Sequence, residues 1–347
     1  MLKCIGIFLS LNSKHINMKL IRLSFLCLLI MGCNASKEAT NNINSKIEST
    51  YLSKVVNYLA SDELKGRNTG SDGIKLAASF IVDEFKAIGV KPYFSNRKGN
   101  NVFHCYYDEF DVNTNSGETL KGFNVVGVLE GNDSKLKNEY LVIGAHYDHI
   151  GEIKAVNGDV IANGANDNAV GSSAVLALAK YFAETKSNKR SILFVLFSAE
   201  EKGLLGSRHL SAKLKAQNID LYAMLNFEMI GVPMKNRSYK AYITGYDASN
   251  MANEINEATN QETVGYLPKA KSFNLFMRSD NYPFYEDFKV PCQTISTFDF
   301  ENYDYYHHVD DEPELMDYEF MASLLNELKP AVVNFANTTT KELKMYD

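Results

Sequence analysis

Three short runs of this chain are dominated by apolar residues, and each is long enough for one strand buried on both faces. The runs end at Ala145, Phe197 and Phe227, and polar residues follow each of them within a few positions. Segments with the apolar spacing of amphipathic helices separate the runs. This arrangement predicts an α/β fold with a largely parallel central sheet.

Acids and a histidine lie just beyond these strands, where ligands bind in open α/β sheets. His146, Glu200, Glu201 and Glu228 occupy such positions, and Asp167 lies on a loop that enters a helix. Two adjacent carboxylates beside a buried strand are costly unless something compensates their charge. A metal ion would do so, with one carboxylate as ligand and its neighbour free to handle protons.

Each of these residues also has an ordinary explanation when it is taken alone. The Glu pair could open a solvated helix, His146 could be structural, and Asp167 could be a helix cap. The four positions just past strand ends, all of metal-ligand type, together suggest one shared metal site. Asp148, two positions after His146, is suited to orienting a metal-bound imidazole.

The composition limits both the class of protein and the type of metal ligand that we expect. Lys and Arg total 36 against 42 Asp and Glu, so the chain lacks the basic excess of a nucleic-acid-binding protein. Beyond the N-terminal segment the cysteines are Cys105 and Cys292, too few for a thiolate site, so His and carboxylate ligands are expected. This pair could form a disulfide or remain as two buried free thiols.

The N-terminus has the layout of an export signal. Residues 20–31 are an apolar run with Lys19 and Arg22 at its start, and Met18 is a plausible true start. The run is too short to cross a bilayer comfortably as a mature helix. Residues 30–33 (IMGC) resemble the lipobox of bacterial lipoproteins, in which the cysteine is acylated; a secretory signal with an incidental cysteine is the alternative.

We therefore expect residues 1–33 to be a signal peptide ending in Cys33, residues 34–49 a flexible tether, and residues 50–347 a single folded domain. The protein would be exported to the bacterial cell envelope and held at the membrane by a lipid anchor on Cys33.

Five motifs together resemble the co-catalytic zinc aminopeptidases of metallopeptidase family 28, which includes leucyl aminopeptidases and, more distantly, glutaminyl cyclases. The motifs are residues 59–67 (LASDELKGR), the His146-x-Asp148 pair, residues 164–168 (GANDN), residues 198–207 (SAEEKGLLGS) and Tyr306-His307. The resemblance implies a three-layer α/β/α zinc-peptidase domain of the phosphorylase/hydrolase-like type, with a mixed, centrally parallel sheet. It also implies two zinc ions and a peptide substrate, hydrolysed at its N-terminus by a metal-bound hydroxide.

The resemblance also implies a role for each residue. His146, Asp167 and Glu228 would bind the first zinc; Asp167, Glu201 and His307 the second; Glu200 would be the general base; Asp148 would fix the His146 ring; and Tyr306 would polarise the substrate carbonyl.

The chain departs from the family pattern at Glu228, where Asp is usual, at Asn281, where His is frequent, and after His307, where His308 follows and a common Pro is missing. The alternative functions are a one-zinc glutaminyl cyclase and a non-catalytic binding lipoprotein on the same scaffold. The unbroken stretch from Ala199 to Gly206 resembles the peptidases more than the cyclases, and the complete ligand set argues against a binding protein that has lost its metals.

Overall fold

A mixed β-sheet forms the centre of the protein, whose computed structural model describes residues 46–98, 101–114 and 117–346. The strands within these residues are β1 (Lys91–Pro92), β2 (Phe94–Lys98), β3 (Asn101–Cys105), β4 (Tyr107–Asn113), β5 (Thr119–Leu129), β6 (Glu139–His146), β7 (Gly151–Val156), β8 (Asp159–Ala162), β9 (Ser191–Phe197), β10 (Asp220–Glu228), β11 (Ala241–Ile243), β12 (Val264–Gly265) and β13 (Cys292–Ser296).

Four parallel strands form the middle of the sheet. Among the described residues its order is β1-β5-β9-β6-β10-β13-β11-β12, with β4 also paired to β5. Strands β9, β6, β10 and β13 run parallel, whereas β5 and β11 join this group antiparallel. The predicted α/β class with a mixed, centrally parallel sheet is confirmed.

Helices cover both faces of the sheet. The α-helices of the described part are α1 (Ser49–Leu59), α2 (Asp72–Ile88), α3 (Val170–Thr185), α4 (Leu205–Ala216), α5 (Met251–Thr259), α6 (Pro268–Ser272), α7 (Asn281–Phe288) and α8 (Tyr318–Asn337). Alternate residues of β6 point to opposite faces: Leu141 and Ile143 join the core under α1, α2, α3, α5 and α8, and Val142 joins the core under α4 and α7. Such two-sided burial explains why the central strands are almost wholly apolar.

The predicted signal peptide and residues 34–45 of the predicted tether lie outside the described residues. Ile47, within that tether, is buried, and its backbone N–H and C=O both bond to the Asn326 side chain. Of the helices in the described part, none is both long and apolar enough to cross a membrane. Cys105 and Cys292 are free thiols, so the disulfide alternative is wrong.

Candidate active site

Three parallel strands bring polar side chains to one edge of the sheet. His146 ends β6, Glu228 ends β10, and Glu200 and Glu201 follow β9 after a two-residue turn. Asp167 lies on the loop before α3, with its Oδ1 3.3 Å from Nε2 of His146. The structure therefore brings these five predicted residues to one place, beside a cavity of about 110 Å³.

The turn that carries Glu200 is held by side chains. Three consecutive N–H groups donate to side-chain oxygens, each at 3.1 Å: Ser198 to Asn124, Ala199 to Thr69, and Glu200 to Asp148. These bonds hold Ala199 at a φ of 58°, a conformation that is unfavourable for residues with a Cβ. The backbone of Glu200 is thus fixed before any substrate arrives.

Glu200 itself lies in a buried, acidic environment. Burial raises the pKa of its carboxyl well above the usual value, and the charges of Glu228 and Asp280 raise it further, against the opposing charge of His146. A carboxylate with a raised pKa holds a proton more readily near neutral pH, which is the property of a general acid or base.

The Asp167 loop is anchored by a second buried acid. The two carboxylate oxygens of Asp311 accept the N–H groups of Asn166 and Asp167 at 2.7 and 3.0 Å, and Tyr303 donates its O–H to Asp311 at 2.6 Å. Gly164 begins the loop with a φ of 63°, and a Cβ there would lie 2.4 Å from the Asp167 carbonyl oxygen. The loop therefore requires glycine at this point.

Four side chains converge closely enough to hold one metal ion: His149, Asp167, Glu201 and His307, with one ligand atom from each within 4.8 Å of the others. Nε2 of His307 lies 3.3 Å from Asp167 and 3.1 Å from Glu201. Burial opposes ionisation of Asp167, but its histidine contacts bring its pKa well below the usual value.

His149 is the member of this group that the sequence analysis missed. Its Nδ1 lies 2.9 Å from Oε1 of Glu201 and 3.8 Å from Oδ2 of Asp167. The available signal was the second histidine of the His-Tyr-Asp-His stretch. His149 lies beyond the end of β6, where strand periodicity no longer shows the direction of a side chain.

The contacts of Asp148 differ from those expected. Nδ1 of His146 lies 3.1 Å from the backbone carbonyl oxygen of Asp148 and 3.8 Å from its carboxylate, because the two-residue spacing brings the carbonyl to the ring. The carboxylate instead accepts the N–H of Glu200 and the O–H of Thr69, both at 3.1 Å. The backbone thus orients the imidazole, and the Asp148 carboxylate fixes Glu200.

Tyr306 and His307 form a stacked pair, with ring centroids 4.0 Å apart and planes inclined by 20°. Tyr306 lines the cavity, and partial burial with the nearby charges of Asp167 and Glu201 raises its pKa, so the phenol keeps its proton. His308 faces elsewhere: its Nδ1 accepts the N–H of Asp310 at 3.1 Å.

The buried polar atoms of this site fit a metal centre. Nε2 of His146 and of His307 has no hydrogen-bond partner among the described residues, although each faces a carboxylate oxygen at 3.1–3.3 Å. Burial raises the pKa of Glu228 to about 7, with the charge of Asp167 adding to this and that of His146 opposing it. A bound cation would offset the free-energy cost of burying these carboxylates and unpartnered nitrogens. Imidazole nitrogen with carboxylate oxygen is a set of ligand atoms that zinc binds.

We expect His307→Ala to lower the amount of bound metal per chain more than His308→Ala does. His307 faces Asp167 and Glu201, whereas His308 bonds to Asp310. Metal analysis of the two purified variants after equal zinc loading checks this expectation, and the opposite order would assign the ligand to His308.

Comparisons with known proteins match the part of the chain that contains this site. A family model described as peptidase family M28 matches residues 124–328. Aminopeptidase YwaD of Bacillus subtilis is 28% identical over 164 residues, which cover 47% of this chain and 33% of that protein. The aligned stretches span only between 24% and 41% of the length of the first curated relatives, two of which are named probable zinc metalloproteases from Pyrenophora species.

Solved structures share the fold. An aminopeptidase from Aneurinibacillus sp. strain AM-1 is similar with a TM-score of 0.63 at 16% identity, covering 88% of this chain and 98% of that chain. A Bacteroides thetaiotaomicron glutaminyl cyclase bound to N-acetylhistamine gives 0.62 at 15% identity, covering 84% and 99%. At these identities the likeness establishes the fold and does not separate a peptidase from a cyclase.

Proposed function

The chain belongs to peptidase family M28, and from this membership and the site geometry we propose that it is a zinc-dependent aminopeptidase that removes N-terminal residues from peptides. The observation that carries the proposal is the position of Asp167. Its Oδ1 faces His146 and its Oδ2 faces His307, each at 3.3 Å, so one carboxylate can be shared by two ions. Glu200 lines the same cavity as Asp167 and lies outside the group of four possible metal ligands.

The residues divide into two ligand sets that share Asp167. His146, Asp167 and Glu228 would hold one zinc ion, and Asp167, Glu201 and His307 the other. His149 lies close enough to Asp167, Glu201 and His307 to be a fourth candidate ligand of the second ion. Bound zinc would supply Lewis acidity, which lowers the pKa of a water molecule and polarises the scissile carbonyl.

Two side chains of this protein would act directly in the reaction, one on the proton of the attacking water and one on the carbonyl of the substrate. Glu200 would take a proton from the attacking water and deliver it to the departing amine, a role that its raised pKa suits. Tyr306, whose phenol stays protonated, would donate a hydrogen bond to the carbonyl oxygen. The Asp148 carboxylate accepts hydrogen bonds from the Glu200 N–H and the Thr69 hydroxyl, and these bonds would keep the base in place.

A panel of fluorogenic amino-acid amides and N-terminal Gln peptides tests the proposal. We expect amide hydrolysis that a chelator abolishes and added zinc restores. Cyclisation of N-terminal Gln without hydrolysis would identify a cyclase instead, and neither activity in zinc-loaded protein would indicate a binding protein. The Gln peptides are needed because the fold is common to both enzymes.

We also propose export and anchoring of the protein through an acylated Cys33. Support comes from the sequence alone: the charged start of the signal segment, its apolar run and the Gly32-Cys33 end. The mass of the mature N-terminal peptide distinguishes an acylated Cys33 from a simple cleavage product, which would contradict the anchor.

A further inference from the structure

The cavity beside the site has an acidic wall and a mixed wall. Asp167, Glu200 and Glu228 form the acidic wall, and hydroxyl and apolar side chains form much of the rest. Arg278 also lines it and is the single cation among the described residues that do so. A cation in a cavity that otherwise carries only negative charge marks the place where a ligand of opposite sign can bind.

The guanidinium of Arg278 is not used by the fold. It is exposed, and it has neither an ion pair nor a hydrogen bond with any residue that the structure describes. Other arginines of the described part are engaged by the fold: Arg67 donates to four backbone carbonyls, and Arg208 pairs with Glu286. All the N–H groups of the Arg278 side chain are therefore available to a ligand.

The backbone that carries Arg278 is fixed. Its N–H donates to the Leu275 carbonyl at 3.1 Å. The Asn281 amide donates to the carbonyls of Phe276 and Cys292, both at 3.1 Å. Ser279 donates its hydroxyl to Glu228. Only the arginine side chain has to order on binding, which lowers the cost of recognition.

We propose that Arg278 is a specificity residue that binds a carboxylate of the substrate, an inference that rests on the proposed aminopeptidase function. Guanidinium groups bind carboxylates through paired, charge-assisted hydrogen bonds. Thr244, which lines the same cavity, accepts the N–H of Thr294 at 3.2 Å, so its hydroxyl hydrogen can serve as a further donor. The carboxylate belongs either to an acidic side chain on the N-terminal residue or to the C-terminus of a dipeptide.

Two substrate pairs distinguish these sources. For the side chain, kcat/KM is compared between Glu and Gln fluorogenic amides, which differ in charge and hardly in shape. For the C-terminus, Leu-Leu is compared with Leu-Leu amide. In one of the two pairs, we expect kcat/KM for the substrate with the carboxylate to be about 10- to 100-fold higher than for its uncharged partner. A difference of this size is typical of a charge-assisted hydrogen bond. Arg278→Met should remove that preference, and Arg278→Glu should reverse it in favour of Lys amides if the side chain is the source.

Arg237→Met is the matched control, because Arg237 is exposed and does not line the cavity; the preference should persist there. Hydrolysis with no charge preference in either pair, or a preference that persists in Arg278→Met, would overturn the role of Arg278 and leave the peptidase proposal standing. Hydrolysis of none of the four substrates by zinc-loaded protein would overturn both.

Discussion

Replacing Glu200 with Gln is expected to lower the rate of amide hydrolysis about 10²–10⁴-fold, the usual contribution of a positioned general base. The amide has nearly the same shape as the carboxylate but cannot accept the proton of the attacking water. The measurement is kcat for a fluorogenic amide, together with the metal content of the same preparation.

The metal content of Glu200→Gln should remain close to that of the parent protein. Glu200 lies outside the group formed by His149, Asp167, Glu201 and His307, and its position depends on its backbone N–H bond to Asp148 rather than on its carboxylate. Glu201→Gln is the matched control, because Glu201 contacts two histidines of the group and should lose metal. Equal loss of metal and rate in Glu200→Gln would make Glu200 a ligand and reverse the assignment of the pair.

The sequence predicted the framework of this site because strand ends are encoded locally. The apolar runs that end at Ala145, Phe197 and Phe227 are long enough for strands buried on both faces, and the carboxyl ends of parallel strands meet at one edge. The acids and His146 that follow them were therefore placed together correctly without any knowledge of the loops.

The contacts within the site could not be predicted in the same way, because they depend on loops from distant parts of the chain. The Asp148 carboxylate points to Thr69, 79 residues away, and no periodicity connects these positions. His149 faces Glu201 only because the chain turns after β6. The significance of Arg278 lies in the absence of a side-chain partner among the described residues, which a sequence cannot show.

The second large effect is expected for Arg67, the last residue of the LASDELKGR motif. It is fully buried and donates to the backbone carbonyls of Leu59, Tyr147, Asn163 and Gly164. Burial lowers its pKa to about 10, opposed by the charges of Asp311 and Asp148, so it stays charged at neutral pH. These bonds tie the first helix of the domain to two loops of the site: the stretch after β6 and the start of the Asp167 loop.

Arg67→Met should therefore lower the free energy of unfolding by about 3–5 kcal/mol, because the methionine leaves buried carbonyl oxygens without donors. Urea unfolding followed by circular dichroism measures this, since the chain contains no Trp for fluorescence. Arg208→Met, at an exposed pair 3.4 Å from Glu286, is the control and should change stability by less than about 0.5 kcal/mol. A loss below about 1 kcal/mol in Arg67→Met would mean that other donors, such as water, satisfy these carbonyls. In that case the loops that carry His149 and Asp167 would not depend on the arginine, and metal binding in the variant should be unchanged as well.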